Sequence, residues 1–278
     1  MPRSLRPQFS VTPEEQGKLN KILKKFEAKE VKELTGSPQD LMYALKLIEH
    51  YKNIEETGGH LVKLFQPETP LSIEHYPAHK AFFDATSEYQ QVLFRASNQT
   101  GKTTSGAYAI SCWSTGDYPD WWQGRVFDKA PVVWACGDTN DTVREILQSK
   151  FLGTPKGTGL IAEKNIYDIV IRPNTGGTVD SIWVRHANSK LSQIKFKTYQ
   201  SGPESFYGKP VDIVWLDEEP AGKDAPLIWN QAYIRLTTTN GTFIVTFTPL
   251  LGWTALLKDF TEKAVDVTPK KKEMYEHD

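Results

Sequence analysis

Cysteine is nearly missing from this chain. The two in 278 residues, Cys112 and Cys136, each sit inside an apolar segment, and there is no Cys-x-x-Cys. This excludes a disulfide framework and a Cys-rich zinc site, and it fits a reducing compartment. No stretch reaches the roughly 18 apolar residues that a membrane span requires, so no membrane partner is expected. Met1-Pro2-Arg3-Ser4-Leu5-Arg6 has no apolar core behind it, so no secretion signal is read there. An excess of one charge is missing too. The formal net charge is −1, so no global basic field draws the chain to nucleic acid, and a DNA-binding role needs a local patch. There is no internal repeat and no low-complexity tract. Apolar material is plentiful: 39% hydrophobic residues and eight Trp are enough for a real core. The length suits one large domain or a domain with an appendage.

The chain is organised around Arg95-Ala96-Ser97-Asn98-Gln99-Thr100-Gly101-Lys102-Thr103-Thr104. The apolar Gln91-Val92-Leu93-Phe94 before it reads as a buried strand, and Ser105 to Ile110 after it can continue a helix. Strand, tight loop and helix form the context in which G-x-x-x-x-G-K-[ST] binds phosphate, and the pattern is met with Ala96 for the first Gly. Backbone N–H groups of residues 97 to 103 can point at a β-phosphate, helped by the positive end of the helix dipole. Lys102 would reach the β- and γ-phosphates, and the Thr103 hydroxyl would hold Mg²⁺.

Taken in order, residues 12 to 34 predict a helix, with Thr12 as N-cap, Pro13 at its first position and Glu15 closing a capping box. Leu19, Ile22, Leu23 and Phe26 form its apolar face. Its Lys-rich face is either a solvated surface or a contact for a protein or DNA partner. Ser37-Pro38 opens a second helix, which completes an N-terminal helical extension over 1–60. Gly58-Gly59, Pro67 and Pro70 mark the connection to a main domain over 61–278. Tyr76-Pro77-Ala78-His79 opens an amphipathic helix that can wall an adenine site. His75 and His79 do not read as metal ligands, because Pro77 lies between them and no Glu follows His75. Ser114 to Lys129 is a Trp-rich loop expected to pack onto the domain. Pro131 to Cys136 reads as a strand, 140–150 as a helix, and 153–159 as a mobile glycine-rich loop. Residues 181–185 and 193–199 alternate apolar and polar and read as half-exposed strands. Repeated strand, turn and helix predict an α/β fold with a mostly parallel central sheet flanked by helices.

Val211 to Glu219 delivers an acidic cluster at the end of a buried strand, where open α/β sheets bind ligands. In P-loop enzymes such an Asp holds the Mg²⁺ shell and the next Glu polarises the attacking water, roles that Asp217 and Glu218 fit. Adjacent strand residues point to opposite faces, so the backbone past Asp217 has to turn Glu218 toward the water. Thr242 to Pro249 is a third strand. It ends in hydroxyls, with Thr246 or Thr248 either sensing a γ-phosphate or serving as ordinary strand formers.

These four pieces together resemble the ATPase domain of large terminase subunits, the DNA-packaging motors of tailed bacteriophages. The resemblance covers roughly residues 70 to 265: Tyr76-Pro77-Ala78-His79, the deviant P-loop Ala96 to Thr103, Ile213 to Glu218, and Thr246 to Pro249. It implies the additional-strand, conserved-glutamate (RecA-like) type of P-loop sheet. It also implies Mg²⁺-dependent ATP hydrolysis that drives double-stranded DNA into a procapsid through the portal, and a coupling role for Thr248. The implied partners are double-stranded DNA, the portal, a small terminase subunit and further copies of the chain in a ring. The implied location is the host cell cytoplasm.

The chain departs from the family pattern in three places. His79 stands where the family has an adenine-reading Gln. No Arg occupies Asn98 or Gln99 within the P-loop, which leaves Arg95, Arg125, Arg144, Arg235 or Lys209 as the charge-stabilising cation. The chain stops soon after the coupling motif, so the RNase H-type nuclease domain of the family is expected to be absent and no DNA cleavage is expected here. A helicase-like translocase would need a second RecA-like domain, for which there is no room. A nucleotide-switched binding module would not need Glu218.

Overall fold

The computed structural model describes residues 64–67, 71–153, 157–173, 177–249 and 254–269. All belong to the second of the chain's two units, Thr57–Asp278. The helices read at 12–34 and from Ser37 onward, most of the connection at 57–73, and residues 154–156 of the glycine-rich loop lie outside the described residues.

Seven strands build one sheet: β1 (Gln91–Arg95), β2 (Val132–Gly137), β3 (Ile166–Ile171), β4 (Val179–Arg185), β5 (Leu191–Thr198), β6 (Ile213–Asp217) and β7 (Thr242–Phe247). Their order across the sheet is β1-β7-β6-β2-β5-β4-β3. The strands from β1 to β5 in this order run parallel, and β4 and β3 add an antiparallel edge. β7, last in sequence, is thus inserted between β1 and β6.

Strand alternation splits the core between the two faces of the sheet. On one face Val133, Ala135, Ile213, Trp215 and Ile244 pack with Phe83 of α1 (Pro77–Glu88), with Tyr108 and Trp113 of α2 (Lys102–Thr115), and with Leu147 and Phe151 of α3 (140–152). On the other, Trp134, Cys136, Val214, Leu216, Phe243 and Val245 pack with Ile228 and Trp229 of α4 (Ala225–Ile234) and Leu257 of α5 (Ala255–Glu262). The result is a sheet flanked by helices, as expected. The Trp-rich loop packs as expected too: Trp121 stacks on Tyr108 at 6.0 Å, and Trp122 meets Trp113 edge-on at 6.2 Å.

α2 approaches the sheet closely because residue 106 is glycine. A Cβ there would lie 2.5 Å from the Trp215 ring. The helix read at 140–150 is present but not uniform. Asn140–Thr142 and Ser149–Leu152 are α-helical and flank a π-helical stretch, Val143–Gln148. The wider turn carries the Gln148 amide inward, where it donates to the Val179 carbonyl at 2.8 Å and accepts from the Val179 N–H at 3.3 Å.

Candidate functional site

The parallel strands deliver their carboxyl ends to one edge of the sheet. There the loop after β1, the acid pair at the end of β6 and the hydroxyls at the end of β7 meet. In the register Arg95 pairs with Phe247, and Asp217 pairs with Thr246.

The loop 96–101 turns through two left-handed residues, Gln99 (φ 60°) and Gly101 (φ 86°). Gly101 takes this conformation without a Cβ penalty and caps α2, so the first N–H groups of α2 stay open toward the loop. The Thr100 hydroxyl donates to the Ser97 carbonyl at 2.9 Å and closes the turn. Lys102 is buried, and its ammonium donates to the same carbonyl at 2.7 Å. This holds a positive charge inside the loop that leads into the N-terminus of α2.

His79 is buried in α1. Its Nε2 lies 2.8 Å from the Thr100 carbonyl, and its ring meets Tyr76 and Phe94 edge-on. Burial lowers its pKa, with the Thr100 bond opposing, so the ring is neutral and donates from Nε2 to brace the loop. Tyr76 is half-buried beside it.

Asp217 is 5% exposed. Its Oδ1 accepts from the Thr246 hydroxyl at 2.7 Å, and its Oδ2 from the Thr103 hydroxyl at 3.2 Å. The Trp215 indole N–H donates to the Thr246 oxygen at 2.8 Å and so orients that hydroxyl. Burial pushes the Asp217 carboxyl up to about 6, although both hydroxyl bonds pull it down. A hydroxyl and a buried carboxylate on neighbouring elements form a hard-oxygen donor set that suits Mg²⁺. Among the described residues no group of three or more His, Cys, Asp or Glu could hold a metal, so a cation here would draw its other ligands from phosphate and water.

Glu218 resolves the geometric difficulty noted for adjacent strand residues. It takes φ 66°, left-handed for a non-glycine, and this reverses its side chain toward β7. Its Oε2 accepts from the Thr248 N–H at 2.8 Å, and its Oε1 lies 3.3 Å from the Thr248 hydroxyl. The same hydroxyl reaches Asn98 Oδ1 in the loop 96–101 at 2.9 Å. The structure therefore brings together Ala96 to Thr104, Asp217, Glu218 and Thr248.

The model of one protein family, "Terminase large subunit, T4likevirus-type, N-terminal", matches residues 93–275. The chain belongs to this family. The terminase large subunit of Salmonella phage P22 is 28% identical over 260 residues, which cover 84% of this chain and 49% of that protein. The chain thus spans about half the length of this relative. Two solved structures resemble it loosely. The large terminase ATPase domain of Thermus phage P74-26 has 14% identity and a TM-score of 0.45 and covers 67% of this chain and 71% of that one. The large terminase of another, thermophilic bacteriophage has 13% identity and a TM-score of 0.46 and covers 71% of this chain and 43% of that one.

Within this terminase domain the candidate cations separate by position. Arg125 donates to the Thr242 hydroxyl and the Asn240 carbonyl at the start of β7. Arg235 donates to the Gly208 carbonyl, and its own carbonyl accepts from Val211 N–H, just before β6. Arg125, Arg235 and Lys209 therefore lie at the opposite end of the strands from the loop 96–101. Arg95 directly precedes the loop. Arg144 sits on α3, after the carboxyl end of β2, in ion pairs with Asp141 and Glu145.

Three contributors escaped the sequence reading. Trp215 orients Thr246 from within a strand that looked merely apolar. The Tyr199 hydroxyl donates to the Glu218 carbonyl at 2.8 Å. The Thr254 hydroxyl donates to Glu219 and also caps α5.

Proposed function

We propose that this chain is the ATPase motor domain of a viral packaging terminase, a P-loop enzyme of the additional-strand, conserved-glutamate type. The observation that carries the proposal is the convergence of Lys102, Thr103, Asp217 and Glu218 on one edge of the sheet. The insertion of β7 between β1 and β6 supports the fold type.

In this reading the loop 96–101 and the N-terminus of α2 cradle the phosphates, and Lys102 leaves the Ser97 carbonyl for the β- and γ-phosphate oxygens. Thr103 and Asp217 would hold Mg²⁺, which when bound would neutralise charge developing on the phosphate oxygens. Glu218 accepts a proton from the attacking water as the water oxygen bonds to the γ-phosphorus and the bond from that phosphorus to the β,γ-bridging oxygen breaks, with ADP as the leaving group. Thr248 touches both Glu218 and Asn98, so it can pass the state of the γ-phosphate to β7 and beyond. His79 keeps the loop in shape, and with Tyr76 it stands beside the place for the base.

For the whole protein we infer double-stranded DNA as the substrate of the motor. The portal, a small terminase subunit and further copies in a ring would be its partners, and the host cytoplasm its location. Membership of the terminase family supports this wider role.

Steady-state phosphate release with Mg²⁺-ATP tests the reading, with Lys102→Ala and Glu218→Ala beside the parent. The expected result is turnover in the parent and loss in both variants, with nucleotide still binding Glu218→Ala. A parent that binds no nucleotide would sink it.

A further inference from the structure

Glu218 occupies a backbone conformation that its side chain disfavours, and such conformations persist only where surrounding groups enforce them. Three groups do so here. The Glu218 N–H donates to the Thr246 carbonyl at 2.7 Å, and the carboxylate is held by Thr248. The third is Tyr199. Its hydroxyl donates to the Glu218 carbonyl at 2.8 Å and lies 3.3 Å from the Asp217 carbonyl. We infer that Tyr199 is a positioning residue, whose phenol locks the left-handed turn at Glu218 and so aims the water-activating carboxylate at the phosphate loop. The inference rests on the proposed catalytic role of Glu218.

The fold explains why a tyrosine is needed there. β5 is not a neighbour of β6, because β2 lies between them. Tyr199 follows β5 directly and opens the one-turn 3₁₀ helix Tyr199–Ser201, tied to the loop after β2 by Gln200 N–H on the Asp138 carbonyl at 3.1 Å. From there a long rigid side chain reaches the carbonyls of Asp217, the last residue of β6, and of Glu218. The ring is buried and stacks on Phe206 at 6.5 Å, and Phe206 in turn meets Trp134 edge-on at 6.0 Å. The body of the side chain is thus held by packing, and its tip alone touches the turn. Burial raises the phenol well above its usual range.

The Tyr199 hydroxyl touches the carbonyls of both peptides that flank the Glu218 Cα, and the orientations of these two peptides set φ and ψ at Glu218. Removing the hydroxyl frees both peptides, so Glu218 can rotate out of the left-handed region and its carboxylate can leave Thr248. Tyr199→Phe removes this tip and keeps the packed ring.

The test combines a crystal structure of Tyr199→Phe with steady-state kinetics of the parent, Tyr199→Phe, Glu218→Ala and the double variant. In the crystal, Glu218 is expected to leave its left-handed conformation and its contact with the Thr248 N–H. In kinetics, kcat is expected to fall about tenfold in Tyr199→Phe, with KM for Mg²⁺-ATP within about twofold of the parent. The Phe substitution is expected to add nothing in the Glu218→Ala background. A merely structural tyrosine would alter KM, or would lower the residual rate of Glu218→Ala as well. An unmoved Glu218 in the Phe variant, or an unchanged kcat, would overturn the inference. If Glu218→Ala itself turns over normally, the catalytic reading of Glu218 falls, while the crystal structure still decides whether Tyr199 holds the turn.

Discussion

Asp217→Asn is expected to make the nucleotide-free protein more stable while disabling its site. Burial lifts the Asp217 carboxyl from 3.8 to about 6, against the pull of hydroxyl bonds from Thr246 and Thr103. The folded state therefore holds the proton more tightly than the unfolded chain does. Stability tied to this group is fully present below about pH 3.8, declines as pH rises, and is lost above about pH 6. At about 1.4 kcal/mol per pH unit, the gap means that the ionised carboxylate costs the fold about 3 kcal/mol at neutral pH. Asn is nearly isosteric and uncharged. Its amide keeps one hydroxyl bond well and the other poorly, at a cost of about 1 kcal/mol. The net gain is about 2 kcal/mol at about pH 8, and it vanishes near pH 4, where the parent carboxyl is itself protonated. Urea denaturation of both proteins at the two pH values, followed by Trp fluorescence, measures this. A variant destabilised equally at both pH values would refute the reasoning, because the carboxylate would then not be held against its preference for water. Mg²⁺-nucleotide binding is expected to weaken in the same variant.

Further predictions concern the neighbours of that carboxylate. Thr246→Val removes a buried hydroxyl between the Trp215 N–H and Asp217 Oδ1, leaves both unsatisfied, and is expected to cost about 2–4 kcal/mol in urea denaturation. Gly106→Ala places a Cβ 2.5 Å from the Trp215 ring, and the overpacking is expected to cost about 1–3 kcal/mol and lower the melting temperature. If the melting temperature did not change, α2 would not be seated as closely as described. Thr248→Val keeps the backbone bond to Glu218 and removes the hydroxyl's contacts with Asn98 and Glu218 Oε1, so nucleotide affinity should hold while turnover falls about tenfold.

Much of this site is local and therefore readable in sequence. A strand, a glycine-bearing turn and a helix mark the candidate phosphate loop between Phe94 and Ser105, and an apolar run ending in two acids marks Asp217 and Glu218. What the sequence could not convey is non-local or conformational. The order that places β7 between β1 and β6 is set by pairing across long separations. β3 is not legible in the sequence because Ile166–Ile171 is an edge strand, exposed at Tyr167 and Val170 as well as Asp168, so its polarity does not alternate. α4 opens with Ala225-Pro226-Leu227-Ile228-Trp229, an apolar run with no polar face to give a helical period. The left-handed turn at Glu218 carries no glycine to announce it. Its brace, Tyr199, looked like the last residue of a half-exposed strand.

The most direct test of the account is a crystal structure of this chain with Mg²⁺, ADP and beryllium fluoride. The account predicts that Lys102 leaves the Ser97 carbonyl for the fluoride, that the metal sits between the Thr103 hydroxyl and Asp217, and that Glu218 contacts a water facing the beryllium. Nucleotide bound away from the loop 96–101, or bound there with Lys102 still on Ser97 and Glu218 turned from the phosphate mimic, would contradict it.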